Sequence, residues 1–177
     1  MKNKKNIRLI TCLIAIILLV IVDQMTKVWA VSRLENNAGI DLIKGVLEFF
    51  YLPNGNTGAA FGMLQGHQTL FLIIAILISS VLLFIIYNMP FQKKYNILVI
   101  LMTLIIAGGI GNMIDRFRLN YVIDFIYISL INFPIFNVAD MYVSIATVML
   151  VIMFLFVYKE EDINIIEKNI KDVFAKK

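Results

Sequence analysis

One cysteine and one histidine are all this chain has of the two residue types that most often hold metals or form redox pairs. Cys12 has no second cysteine for a disulfide, and its place inside an apolar run makes it a buried structural thiol. It is poorly placed for lipidation too, because the apolar stretch follows it instead of preceding it. His67 lacks neighbouring ligands of the type and spacing a zinc site needs, which leaves it an interfacial residue. No metal and no other cofactor is expected. Charge is scarce: Asp, Glu, Lys and Arg make up 16% of the chain, where ordinary globular proteins carry about 25%. Internal repeats and low-complexity linkers are missing, so the 177 residues are expected to form a single domain.

What is abundant is apolar: 60% of residues, gathered in four runs near 9–30, 69–87, 95–114 and 139–158. Each has roughly the ~20 residues that carry a helix across a hydrocarbon core. The expectation is an all-α membrane protein of four transmembrane helices. Taken alone, the net charge of +4 suggests nucleic acid, but its distribution points elsewhere. Lys2, Lys4, Lys5, Arg8, Lys93, Lys94, Lys159, Lys168, Lys171, Lys176 and Lys177 account for eleven of the sixteen basic residues. With four spans they share one side, so the positive-inside rule puts both termini in the cytoplasm and no nucleic-acid partner is expected. The basic start followed by an apolar run has the look of a secretory leader. The run is too long for one, and Val22-Asp23-Gln24-Met25-Thr26-Lys27 follows where a small-residue cleavage site should stand, so a retained first helix is expected. Residues 159–177 mix acids and bases with Ile163, Ile165, Ile166, Ile170 and Phe174, which predicts an amphipathic tail helix on the cytoplasmic side.

Between the first and second spans, residues 31–66 form the longest connection, on the outer side. Leu47-Glu48-Phe49-Phe50-Tyr51-Leu52, bounded by Gly45 and Pro53, predicts a strand in a small platform on the membrane surface. Asn54 to Gly62 is rich in small residues and predicts a tight backbone, either a mere turn back into the membrane or, the favoured reading, a segment whose Asn56 and backbone amides contact a substrate's main chain. The second span is featureless and is expected to pack and face lipid. In the third, Gly108, Gly109 and Gly111 predict close approach of another helix.

Polar residues inside such a chain are costly and usually mark a site or a pairing. Asp23 and Lys27 are spaced i,i+4 on one helix face. For Lys27, a local interfacial ion pair with the ammonium reaching the headgroups and a role beyond that pair weigh equally; Asp23 sits deeper and predicts a structural or site-supporting contact within the bundle. Asn112 and Asp115 share a face, and Asp115-Arg116 predicts a structural ion pair. Asn137 and Asp140 open the fourth helix as N-cap and first-turn acid. Asp124 stands in apolar Val122-Ile123-Asp124-Phe125 with no adjacent base, which a purely structural reading leaves unexplained. Two aspartates in one environment can divide acid and base roles, because close like charges do not readily both ionise. That favours an intramembrane aspartyl protease. A proton or ion relay through Asp23, Asp115, Asp124 and Asp140 is the competing class, but the acids all lie toward one membrane face, whereas a transport path crosses its whole thickness. A Gly-x-Gly-Asp protease fails at Gly109-Ile110-Gly111-Asn112, where Asn replaces the acid.

Five motifs in order then carry a resemblance: Asp23-Gln24-x-x-Lys27, Asn56-Thr57-Gly58-Ala59-Ala60-Phe61, Gly111-Asn112-x-x-Asp115-Arg116, Val122-x-Asp124-Phe125 and Phe136-Asn137-x-Ala139-Asp140. On a four-span chain of this size they resemble the bacterial lipoprotein signal peptidases, or signal peptidase II. The resemblance implies an aspartic endopeptidase of the bacterial cytoplasmic membrane, with its active site near the outer face. Its partners would be lipid-modified prolipoproteins, cut just before the diacylglyceryl-modified cysteine, and membrane lipids, with the protein working as a monomer. Asp124 and Asp140 match the family's catalytic pair. Asp23, Lys27, Asn56, Gly58, Asn112, Asp115, Arg116 and Asn137 match positions that order the site or bind substrate. The chain departs from the family where Asn120 replaces a usual Gly, where Met141 replaces a frequent Ser, and at Pro53-Asn54-Gly55.

Overall fold

A computed structural model describes residues 2–35, 37–52, 55–57 and 68–175; Pro53, Asn54, Gly58 and His67 lie outside them. Four helices are long and apolar enough to span a membrane. Helix α1 (Lys2–Leu34) has 33 residues, about 50 Å at 1.5 Å per residue, against a hydrocarbon core of about 30 Å. It therefore overshoots the expected 9–30 at both ends, which carry Lys2 to Arg8 and Arg33 into polar surroundings. Helix α2 (Gln68–Asn88) buries few residues completely, Ile86 and Asn88 at its end among them, as its uniform Leu, Ile, Val and Phe composition suits a lipid-facing span. Helix α3 (Asn96–Leu119) is the most buried of the four and packs against the other three. It runs five residues beyond the expected 95–114, so Asp115 and Arg116 are helical. Helix α4 (Val138–Ile152) passes into a π-helical turn over Met153–Val157.

Glycine sets the α3–α4 spacing. A Cβ on Gly108 would strike the Ala139 carbonyl and the Val143 side chain, and one on Gly111 would strike Asp23 and Ala139. Gly109 differs from the expectation: it faces open space, because it points some 100° around the helix from Gly108.

At the end where α1 and α3 finish, three short antiparallel strands form a sheet in the order β1 (Ile40–Ile43), β2 (Leu47–Phe49), β3 (Ile126–Tyr127). The predicted strand is thus real but ends at Phe49. Beyond it Phe50 and Leu52 still donate to the carbonyls of Phe125 and Asp124, at 2.9 and 3.2 Å. On the far side Phe125 and Ile126 donate to Phe136, at 3.0 and 2.8 Å. Trp29 of α1 packs edge-on against Phe49 and Phe125, with centroids 5.1 and 6.2 Å apart, and clamps this sheet to the helices.

The other end collects the expected basic residues. Arg8 donates to the Met89 carbonyl at 2.5 Å, and Lys5 to Asn88 at 2.8 Å. The tail forms helix α5 (Glu160–Ala175), which folds back so that Asn169 reaches the Asn88 carbonyl and Asp162 pairs with Lys94. Cys12 is buried in the apolar core of this half, as expected of a structural thiol.

Asn120 ends α3 in the left-handed conformation, φ 64° and ψ 11°. That is why Asn serves where the resembling family has Gly: both tolerate this region. Asn120→Gly is expected to leave thermal stability nearly unchanged, whereas Asn120→Val should cost about 1–2 kcal/mol, measurable as a lowered Tm in detergent.

Candidate active site

The described site residues singled out in the sequence, from five separate segments, converge where α1, α3, α4 and the sheet meet. Asp124 is carried on the irregular segment just before β3, held from both sides, with Asn56 exchanging two 2.9 Å backbone hydrogen bonds with Val122 nearby. Asp140 is carried on the first turn of α4. There Asn137 is the N-cap, its side chain accepting from the Asp140 N–H at 3.0 Å while the Asp140 carboxylate accepts from the Asn137 N–H at 3.2 Å. This reciprocal capping box fixes the orientation of both side chains.

Asn137 also joins the two aspartates. Its Nδ2 donates to Asp124 Oδ1 at 2.6 Å and to Asn112 Oδ1 at 3.0 Å. Asn112 in turn donates to Asp140 Oδ1 at 2.7 Å, and Asn56 donates to Asp124 Oδ2 at 2.8 Å. Asp124 and Asn137 are almost wholly inaccessible, while Asp140, Asn112 and Asn56 are half-buried. Burial above all, and then the nearby Asp140 charge, push the Asp124 carboxyl up to about 7. The hydrogen bonds from Asn56 and Asn137 and the charge of Lys27 pull the other way, less strongly.

Behind the pair lies a buried ionic cluster. Lys27 is 1% exposed and contacts Asp23 at 3.0 Å and Asp115 at 2.8 Å, and donates to Asn112 Oδ1 at 3.0 Å. Of the two readings of Lys27, the reach to headgroups is therefore wrong. Three acceptors inside the bundle, one on its own helix and two on α3, hold the ammonium there. Asp23 makes the expected inward contact, accepting from the Ala139 N–H at 3.0 Å at the start of α4. Asp115 pairs with Lys27 of α1, a correction to the expected Asp115–Arg116 pair. Adjacent helical residues point about 100° apart, and Arg116 lies over the Phe71 ring at 4.7 Å. Gly58 lies outside the described residues.

Gln24 was not singled out from sequence, although it stands inside a quoted motif. Its Nε2 lies 2.9 Å from Asp115, 3.2 Å from Asp23 and 3.2 Å from the Gly111 carbonyl, so it ties α1 to α3. The signal was available, since a carboxamide beside Asp23 in an apolar helix needs a buried partner. Among the described residues no group of acidic, histidine or cysteine side chains could hold a metal ion.

Fold and site together define a multi-pass membrane protein built around a buried, hydrogen-bonded pair of acids. A family model described as signal peptidase (SPase) II matches residues 15–156, and the chain belongs to that family, whose members are endopeptidases of the aspartic type. The lipoprotein signal peptidase of Streptococcus agalactiae serotype V is 44% identical over 145 residues, 82% of this chain and 90% of that protein. The lipoprotein signal peptidase of Streptococcus pyogenes serotype M5 is 41% identical over 149 residues, 84% and 93% of the two chains. A solved bacterial membrane enzyme, determined by the in meso method at 2.3 Å resolution, matches with a TM-score of 0.71. It is 30% identical, over 85% of this chain and 92% of that one.

Proposed function

We propose that this peptidase removes the signal peptides of prolipoproteins by cutting just before the diacylglyceryl-modified cysteine, with Asp124 and Asp140 as its catalytic pair. The observation that carries the assignment is the Asn137 side chain, which holds both aspartates in one orientation within the same buried site. No metal and no covalent intermediate is needed. One carboxyl of the pair holds the shared proton and polarises the scissile carbonyl, while the other, ionised, takes a proton from the attacking water; burial and the neighbouring charge, which push Asp124 up to about 7, keep that one proton on the pair. Both hydrogens of the Asn137 amide are already committed, so it cannot also serve the tetrahedral oxyanion. Asn112 has a second amide hydrogen and is the better candidate.

The basic residues gathered at the far end of the bundle support cytoplasmic termini, which would set the site near the outer face of the cytoplasmic membrane. There the lipid of the substrate would hold its scissile bond at the depth of the aspartates, and water could reach it. One subunit supplies every side chain invoked, and the surrounding lipids are its other partners.

Purified protein in bilayers is expected to cut a diacylglyceryl-modified prolipoprotein and leave the unlipidated precursor intact, as read by mass spectrometry of the products. Equal cleavage of both would remove the lipid from the specificity. Activity should also fall as pH rises through about 7, because the pair then loses its one proton. Above that point kcat is expected to drop about tenfold per pH unit; a flat profile to pH 9 would show that the pair's shared proton is not required.

A further inference from the structure

The aspartates use only one side of α3. Arg118 lies six residues past Asn112, about 120° around the helix from it, and its exposed side chain lines two cavities at once. One, of about 600 Å³, is a furrow between α2 and α3 whose other walls are Leu72, Ile76, Met113, Ile114 and Phe117. The second, of about 350 Å³, lies between α1, α3 and the loop segments; Gln24, Lys27 and Asp115 of the ionic cluster form its inner wall, and Ser32 and Glu35 are among its outer walls. Both volumes fall in the range of ligand sites. Arg118 and Glu35 carry opposite charges on the same cavity, yet no ion pair joins them among the described residues. Trp29, partly exposed one turn before Ser32, sets this level at the interface where indoles collect.

We propose that this face of α3 is a phospholipid site, with the lipid phosphate on Arg118, a headgroup hydroxyl or ammonium donating to Glu35, and one acyl chain in the furrow. Charge complementarity argues for it: a cation beside an acid suits a phosphate followed by a hydrogen-bond donor, and the apolar furrow beneath suits only hydrocarbon. The occupant is distinct from the substrate, because Phe117 and Arg118 lie about 140° and 120° around α3 from Asn112, the residue that donates to Asp140. A signal peptide would leave both headgroup partners unanswered.

The test uses the full chain in nanodiscs containing equal amounts of phosphatidylglycerol, phosphatidylethanolamine and phosphatidylcholine, followed by native mass spectrometry of the released protein. Wild type is expected to retain one lipid, favouring the two with headgroup donors over phosphatidylcholine by about fivefold. Arg118→Gln, a surface substitution, should lose retention of all three by a similar factor. Glu35→Gln should lessen the preference over phosphatidylcholine, and Ile76→Trp, which fills the furrow, should lower retention of every lipid. Undiminished retention in Arg118→Gln would overturn the proposal. So would one-for-one displacement of the lipid by a diacylglyceryl peptide, since the furrow would then belong to the substrate. The readout is binding alone and stands whether or not the proposed cleavage chemistry is right.

Discussion

Asp124→Asn is expected to lower kcat for prolipoprotein cleavage by about 10³–10⁴-fold while leaving the protein folded. The substitution removes one of the two acids that share the pair's proton but keeps the shape of the side chain. Its effect on folding is the sum of two opposed terms. The carboxyl is held up to about 7 in the fold, against 3.8 for the free group, so it is bound more tightly to its proton when folded. That contribution to stability is complete below about 3.8 and is lost as pH rises through about 7. At pH 8 the buried charge is a burden of up to about 4 kcal/mol that Asn does not carry. Against this, the carboxylate accepts from both Asn56 and Asn137, whereas Asn must turn its own NH2 toward one of those donors, at a cost of about 1–3 kcal/mol. The expected net change at pH 8 is within about 2 kcal/mol of zero. Thermal unfolding in detergent, run beside the cleavage assay, separates chemistry from folding. Asp140→Asn should be equally inactive. Substantial cleavage by either folded variant would remove that aspartate from the chemistry and make Asp115 the next candidate.

How far the sequence carries depends on the kind of feature. The four spans are legible because a run of about 20 apolar residues has few other uses, and the capping box at Asn137 and Asp140 is local in sequence. Asp124 announces itself by standing alone among Val122, Ile123 and Phe125. What sequence leaves out is long-range. Strands β1 and β3 are too short to show a period, and they exist because β2 lies between them as a template. The partner of Asp115 is 88 positions away on α1, so adjacency misdirects the reading toward Arg116. Gln24 hides for the same reason, since its value lies in three acceptors of which two belong to another helix.

Lys27 shows how much hangs on such a contact. Lys27→Met is expected to destabilise the fold by about 3–5 kcal/mol, because it keeps the apolar stem but leaves Asp23 and Asp115 buried without their cation. Had the ammonium reached the headgroups, the same change would cost less than about 1 kcal/mol. The damage should also extend to the site. Lys27 donates to Asn112, which donates to Asp140, so a loosened Asn112 frees the Asp140 carboxylate to rotate. Activity is therefore expected to fall by tenfold or more, about the factor of a 1.4 kcal/mol misplacement, in kcat more than in KM. Adding Asp115→Asn to Lys27→Met removes one of the two stranded charges and should recover part of the lost Tm, a non-additivity that a double-mutant cycle reads directly. Kinetic recovery should lag behind, because the second substitution relieves the stranded charge without restoring a donor to Asn112. A Tm for Lys27→Met within a degree or two of wild type would show that the three contacts do not hold the bundle together.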